Sequence, residues 1–159
     1  MTREKLADVA SPGKRPMDLA LAEAETAGLA GEVPIGAVVV NAIGEVLGRA
    51  GNRTLELRDP TAHAELLAIR EACAKRGSER LTACDLYVTL EPCAMCAAAI
   101  SFARIRRLYF GAADPKGGAV EHGPRLFAHA TCRRAPEVYG GIGEARAAEL
   151  LKRFFAARR

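Results

Sequence analysis

One histidine, one glutamate and two cysteines have a spacing that suits metal chemistry. His63 and Glu65 lie two residues apart in "HAEL", and Cys93 and Cys96 lie three apart in "EPCAMC". Residues three apart share one face of a helix, so the two thiols point the same way. Residues two apart in mid-helix point about 200° away from each other, but in the first turn both can approach an ion near the helix axis. The pattern therefore predicts two helix N-termini directed at one cation.

Zinc is the metal that this set of side chains favours, because it prefers imidazole and thiolate ligands. We predict one zinc ion per chain, bound by His63, Cys93 and Cys96. Three protein ligands are typical of a catalytic site, which keeps a fourth position for water. Glu65 then acts as a base that takes a proton from this water and passes it to a leaving group. The backbone N–H groups of Ala64 and Cys93 are candidates for stabilising an oxyanion.

The same residues are also compatible with purely structural roles. A Cys-x-x-Cys pair can be two buried small side chains, and a lone histidine can be a helix cap or a core residue. Cys132 is a weak candidate for a fourth ligand, which would close the site and make it structural. A non-catalytic zinc module would need such a ligand and would have no use for Glu65. Cys73 and Cys84 lack ligand spacing and are interpreted as core or surface thiols.

The composition bounds the class of protein. The chain has 159 residues, of which 50% are hydrophobic and 26% charged, which favours one globular domain. No apolar run reaches the roughly 18 residues of a membrane helix. Five cysteines, an odd number, argue against a secreted disulfide scaffold and favour a reducing cytoplasm. We expect residues 1–16 to be a disordered leader and residues 17–159 to form a single domain.

The elements that position the candidate residues follow from periodicity and turn residues. Strands are predicted over 33–40 and 45–52 (a hairpin), 85–90 and 104–112, with a fifth strand or a turn at 136–141. Helices are predicted over 17–30, 61–77 (capped by Thr61 or Asp59 and ended by Gly77), from Pro92 to about Ser101, and 143–159. Residues 113–135 predict a long functional loop. This order predicts an α/β fold with three α/β/α layers, in which helices cover both faces of a mixed, about five-stranded sheet.

Longer segments carry a resemblance to a known family. The segments "HAE" and "PCAMC" resemble the zinc-dependent cytidine deaminase superfamily. Further segments resemble the bacterial tRNA-specific adenosine deaminases: "EVPIGAVVV", "GNRT", "DPTAHAELLAIR", "LYVTLEPCAMCAAAISFARIRRLYFGAADPKGGA" and "LLKRFFAARR". The resemblance covers about residues 17–159. It implies a cytidine deaminase-like fold, a homodimer, and zinc-dependent conversion of adenosine to inosine at the wobble position of a tRNA anticodon, usually of an arginine tRNA.

The resemblance also implies roles for individual residues, with the zinc ligands and the proton shuttle as above. Asn52 matches a position that contacts the target nucleotide, and Asp114 one near the sugar–phosphate backbone, with Lys116 in the same "ADPKGG" segment. Phe154 matches a position that borders the RNA cleft. Taken alone, Asn52 is equally a turn residue, Asp114 a loop cap, and Phe154 a core aromatic.

One segment departs from the family pattern. Residues 120–137, "VEHGPRLFAHATCRRAPE", do not follow the His- and Asn-containing loop typical of many members. Arg133 and Arg134 are candidates for phosphate contacts in its place. A deaminase of a free base or nucleoside, such as guanine or cytosine, would share the zinc chemistry and is the alternative function. The basic C-terminal helix and "ADPKGG" argue against it through the resemblance.

Overall fold

The computed structural model describes residues 15–158. Most of the predicted leader therefore lies outside the described residues. Its last two positions, 15 and 16, belong to the first helix, so that helix begins two residues earlier than predicted. Within residues 15–158, no helix combines the length and the apolar character needed to cross a bilayer.

Within residues 15–158, four helices and five strands form the fold. The helices are α1 (Arg15–Leu29), α2 (Ala64–Arg76), α3 (Ala94–Ala103) and α4 (Glu144–Ala156). The strands are β1 (Gly36–Val40), β2 (Val46–Gly51), β3 (Asp85–Leu90), β4 (Arg107–Ala112) and β5 (Glu137–Tyr139). A short 3₁₀ turn, Leu126–Ala128, is the only regular helix or strand between β4 and β5. The predicted long loop is therefore confirmed, and the uncertain fifth element is a strand.

The five strands form one mixed sheet in the order β2-β1-β3-β4-β5. Strand β1 is antiparallel to both β2 and β3, whereas β4 is parallel to both β3 and β5. All five residues of the apolar run "GAVVV" in β1 are buried. A strand buried on both faces has a continuous apolar run, and this explains why β1 lies inside the sheet.

Helices cover both faces of the sheet, as predicted. Helices α1 and α4 pack on one face, against side chains such as Val38 and Tyr87. Helices α2 and α3 pack on the other face, against side chains such as Val39 and Leu86. The hairpin approaches α2 very closely at Gly48, where an added Cβ would overlap the carbonyl oxygen of Ala68. The sequence therefore needs a glycine at this point of contact.

Both helices of the predicted site begin later than expected. Helix α2 begins at Ala64, because Asp59 Oδ1 accepts hydrogen bonds from the N–H and the hydroxyl of Thr61 at 2.8 and 2.7 Å. Neither predicted cap therefore caps the helix; both form a turn before it. Helix α3 begins at Ala94, two residues after Pro92. Gly77 ends α2 in the left-handed conformation (φ 73°), which confirms the predicted stop.

The segments that carry the candidate residues meet at one end of the sheet. Gly36 at the start of β1 pairs with Gly51 at the end of β2. The N–H of Gly36 is also donated to Thr89 Oγ1, near the end of β3, at 3.1 Å. The parallel pairing of β3 and β4 places Leu90 beside Ala112. The connections that follow β2, β3 and β4 therefore all leave the sheet at this end.

Candidate active site

Two helix N-termini hold the predicted zinc ligands. His63 is the N-cap residue of α2, Cys93 is the N-cap residue of α3, and Cys96 lies in the first turn of α3. His63 Nδ1 is 3.7 Å from Cys93 Sγ and 3.6 Å from Cys96 Sγ. All three donor atoms lie within 4.8 Å of one another.

These separations fit a zinc ion. Zinc–sulfur bonds of about 2.3 Å and zinc–nitrogen bonds of about 2.0–2.1 Å in tetrahedral geometry place sulfur and nitrogen about 3.6 Å apart. Among residues 15–158, no fourth His, Cys, Asp or Glu joins the cluster. Cys132 lies elsewhere, with its sulfur 3.4 Å from Ser101 Oγ and 3.5 Å from the carbonyl oxygen of Arg134. The donor set is therefore that of an open site, and Cys132 is not a fourth ligand in this arrangement.

Cys93 is electrostatically prepared to act as a ligand, whereas the thiol form of Cys96 is favoured. A hydrogen bond from the Cys96 thiol lowers the pKa of Cys93 to about 5, helped by the backbone N–H groups of Cys96 and Met95 and opposed by burial. The same hydrogen bond, together with burial, raises the pKa of Cys96. One thiolate is thus already favoured in the free site, and thiolate is the form that binds metal.

Glu65 lies beside the ligands without being one of them. It is the second residue of α2 and only 4% exposed. Burial is the main cause that raises its pKa, and Cys93 adds to the effect, while its own backbone N–H, the Cys96 thiol and His63 oppose it. A carboxylate whose charged form is disfavoured in this way takes up and returns protons more readily. This arrangement suits the predicted proton shuttle, which stays a prediction.

Asn52 ties the end of β2 to the start of α2. Its side chain is buried, and its Oδ1 accepts the backbone N–H of Ala64 at 2.8 Å. Asn52 is therefore a cap that comes from another part of the chain, not a turn residue. Because this bond uses the Ala64 N–H, Ala64 is not available as the predicted oxyanion donor. The N–H of Cys93 has no acceptor within residues 15–158 and stays a candidate for that role.

Comparison with known proteins identifies the family. Residues 11–112 match the cytidine and deoxycytidylate deaminase zinc-binding region. A tRNA-specific adenosine deaminase of Agrobacterium fabrum (strain C58) is 63% identical over 143 residues, which span 90% of this chain and 93% of that protein. The chain belongs to the tRNA-specific adenosine deaminase family. Zinc is the metal of this family, and His63, Cys93 and Cys96 are the residues of this chain that could hold it.

Solved structures agree with the family. A structure from studies of A-to-I editing by tRNA:A34 deaminases at the wobble position has a TM-score of 0.84 and 64% identity, and the match covers 86% of this chain and 98% of that one. A guanine deaminase from Nitrosomonas europaea has a TM-score of 0.74 at 23% identity, with 98% and 94% of the two chains covered. At 23% identity, the likeness to the guanine deaminase shows only that the two proteins share a fold.

The loop after β4 carries Asp114 and Lys116. Asp114 Oδ1 accepts the backbone N–H groups of Lys116 and Gly117 at 3.2 and 3.0 Å, so Asp114 is a loop cap. The side chain of Lys116 is exposed. Both residues lie at the end of the sheet where the zinc ligands lie. Their contacts with RNA in this family member stay predictions.

Phe154 lines a surface groove between α1 and α4. The ring is half-buried, belongs to neither core cluster of the described residues, and has the guanidinium of Arg158 3.3 Å above it. Pro34, before β1, also lines the groove. Pro34 precedes Ile35, whose carbonyl accepts the Asn52 N–H at 3.1 Å. The groove therefore extends from the site end of the sheet, and the core interpretation of Phe154 is wrong.

Two buried carboxylates were missed in the sequence. Glu32 accepts the N–H groups of residues 55 and 56 at 3.1 and 2.9 Å, in the segment that leads to the zinc-binding histidine. Glu91, directly before "PC", holds the loop after β4. Burial raises the pKa of Glu91, but hydrogen bonds from the Asp114 and Glu121 backbones and from His122 outweigh it, and the net pKa is lowered. The sequence signal for both residues was an acidic side chain directly next to an apolar strand segment. A carboxylate that is buried in such a place requires hydrogen-bond donors.

Proposed function

We propose that this chain is a hydrolytic deaminase that converts adenosine to inosine at the wobble position of a tRNA anticodon. The observation that carries the proposal is the 63% identity to a tRNA-specific adenosine deaminase across nearly the full length of both chains. The three-ligand cluster beside a buried glutamate supports the same chemistry. The reaction consumes one water and releases ammonia from C6 of adenine.

Each part of this reaction is assigned to particular residues of the chain. His63, Cys93 and Cys96 hold zinc, which when bound lowers the pKa of a water in the open position. Glu65 accepts one proton of the attacking water and donates it to the adenine ring; it then takes the remaining proton from the new hydroxyl at C6 and passes it to the amine, so that the C6–N bond breaks, a C6 carbonyl forms and ammonia leaves. The Cys93 N–H is placed to stabilise negative charge on the attacking oxygen.

Substrate contacts are proposed for Asn52, Asp114, Lys116 and Phe154. Asn52 lies on the connection after β2, Asp114 and Lys116 lie on the connection after β4, and Phe154 lies on α4. The target base must leave its stack to reach zinc, which is easiest in a single-stranded loop. An aromatic ring beside a groove, like that of Phe154, is suited to stacking on a nucleotide base. Arg133 and Arg134 form no ion pair among the described residues and are available for phosphates.

The finer features follow from the family. We propose an arginine tRNA as the substrate, a homodimer as the working assembly, and the cytoplasm as the location. The exposed ring of Phe102 on the zinc-bearing helix α3 (83% exposed) supports contact with a second chain. Light scattering should give the mass of a dimer at micromolar concentration; the mass of a monomer would contradict the assembly.

The decisive experiment compares substrates. Zinc-loaded protein is incubated with an anticodon stem-loop that has adenosine at the first anticodon position, and separately with free adenosine, cytidine and guanine. Chromatography should show inosine in the stem-loop and much slower reaction of the free compounds, because these lack the flanking nucleotides. A stem-loop with guanosine at that position is the matched control. Fast turnover of free guanine or cytosine beside an inert stem-loop would overturn the proposal.

Salt dependence gives a second measure of the same proposal. An enzyme that contacts the RNA backbone releases counterions on binding. The logarithm of its affinity should therefore fall with the logarithm of salt concentration, by about 0.7 for each single-strand phosphate contact. A free-base enzyme has no such contacts, and its affinity should be nearly independent of salt.

A further inference from the structure

We infer that Glu91 is a positioning residue, which fixes the loop over residues 113–122 against the zinc helix so that the RNA strand is held in register with the metal. The inference rests on the proposed function and goes beyond it, because neither the chemistry nor the comparisons assign a role to this side chain. It identifies one carboxylate as the link between substrate recognition and the reaction site.

The carboxylate of Glu91 clamps both ends of the loop. At the start of the loop, Oε1 accepts the N–H of Asp114 at 3.0 Å. At the end of the loop, Oε2 accepts the N–H groups of Val120, Glu121 and His122 at 3.2, 3.0 and 3.1 Å. The carboxylate therefore holds the two ends of the loop at a fixed distance from each other.

A fifth contact comes from a side chain. His122 Nδ1 lies 2.7 Å from Glu91 Oε1, and the imidazole is 36% exposed while the glutamate side chain is fully buried. The ring thus covers the carboxylate on the solvent side. A buried acid with this many donors is rigidly held.

The clamp connects directly to the zinc ligands. Glu91 is two residues before Cys93, and its own N–H is donated to the carbonyl of Ala112 at 2.9 Å. The carbonyl of Pro92 accepts the N–H of Ala119 at 2.9 Å. The loop is therefore bonded to the two residues that lead into the metal site. A displacement of the clamp would move Asp114 and Lys116 relative to Cys93.

The sequence of the loop is adapted to this clamp. A Cβ added at Gly118 would lie 2.5 Å from both Cδ and Oε2 of Glu91. Only glycine lets the backbone pass this close to the carboxylate. The second glycine of "PKGG" is thereby explained.

Two substitutions disturb the clamp in different ways. Glu91→Gln keeps the shape but replaces one oxygen by an amide nitrogen, which cannot accept a hydrogen bond. Either orientation of the amide leaves one end of the loop without its partner. Gly118→Ala instead pushes the loop off an intact carboxylate. Glu71→Gln is the control, because Glu71 is exposed on α2 and has no contact with the clamp.

Kinetics on the anticodon stem-loop provide the test. We expect both clamp variants to keep zinc, to raise KM at least about tenfold and to change kcat less than about threefold, since substrate binding is the step that suffers. The salt dependence of stem-loop affinity should flatten by about 0.7 for each phosphate that the variant no longer contacts. Amide hydrogen exchange should accelerate at residues 114 and 120–122. Glu71→Gln should match the wild type throughout.

Several results would overturn the inference. Unchanged KM and salt dependence, even with faster exchange in the loop, would mean that the clamp is purely structural. A fall in kcat at constant KM would mean that Glu91 acts on the metal site. If Glu91→Gln does not fold or loses zinc, Gly118→Ala decides by the same criteria. A wild type that is inert on the stem-loop would instead refute the proposed function, which is a separate outcome.

Discussion

The substitution Glu65→Gln separates the catalytic role of Glu65 from its structural role. Glutamine has nearly the same shape but cannot carry the proton. General acid–base catalysis contributes about 10²–10⁴ in rate. Glu65 is buried, and within residues 15–158 no Asp or Glu belongs to the metal cluster, so the glutamine variant has no acidic group among the candidate ligands to carry the proton. We therefore expect kcat to fall at least ~100-fold, equivalent to at least ~2.7 kcal/mol of transition-state stabilisation.

Glu65→Gln should lose activity without losing stability or zinc. Burial of a charged carboxylate is unfavourable, so the metal-free variant should unfold at the same or a higher urea concentration than the wild type. Zinc content should stay at one ion per chain by elemental analysis. Glu71→Gln, an exposed position on the same helix, is the control and should keep full activity. A rate within threefold of the wild type, with equal zinc, would refute the reasoning.

Three further predictions concern metal binding and the fold. Cys96→Ser should lose zinc while Cys132→Ala keeps it, as measured by elemental analysis; zinc loss in the latter would indicate a closed, structural site. The Tyr109 ring stacks on the rings of Tyr87 and Tyr139, with centroids 4.4 and 5.0 Å apart. Urea denaturation should therefore show that Tyr109→Leu lowers the free energy of unfolding by about 1–3 kcal/mol, roughly twice the loss caused by Tyr139→Leu. Gly48→Ala should lower the melting temperature clearly, because overpacking costs about 1–3 kcal/mol or more; an unchanged melting temperature would show that β2 can move away from its helix.

The metal centre was predictable because its residues occur in two short segments of the sequence. A histidine with a nearby acid and two cysteines one turn apart indicate ligands and chemistry before any fold is known. The strands and the sheet type followed from apolar runs and their order. The helix starts did not, because the cap of α2 comes from Asn52, twelve residues earlier, and not from Thr61 or Asp59.

The loop contacts depend on proximity that only folding creates. For Asp114 the sequence left open a family position near the RNA backbone and a loop cap, and the hydrogen bonds show that it caps its own turn. Glu91 had no predicted role, because its partners lie 23 to 31 residues later in the chain. Periodicity carries no signal for a side chain that binds backbone groups so far away.

The use of backbone amides in the clamp has a consequence for how this loop can evolve. Four of the five donors to Glu91 are main-chain N–H groups, which most amino acids supply equally. A change of side chain at position 121, which is exposed and gives the clamp only its backbone N–H, can therefore alter the chemical surface offered to RNA without shifting the loop, provided that the glycine at 118 is kept. In the divergent segment "VEHGPRLF", an exposed side chain such as that of Glu121 can thus differ while the anchored main chain keeps its course.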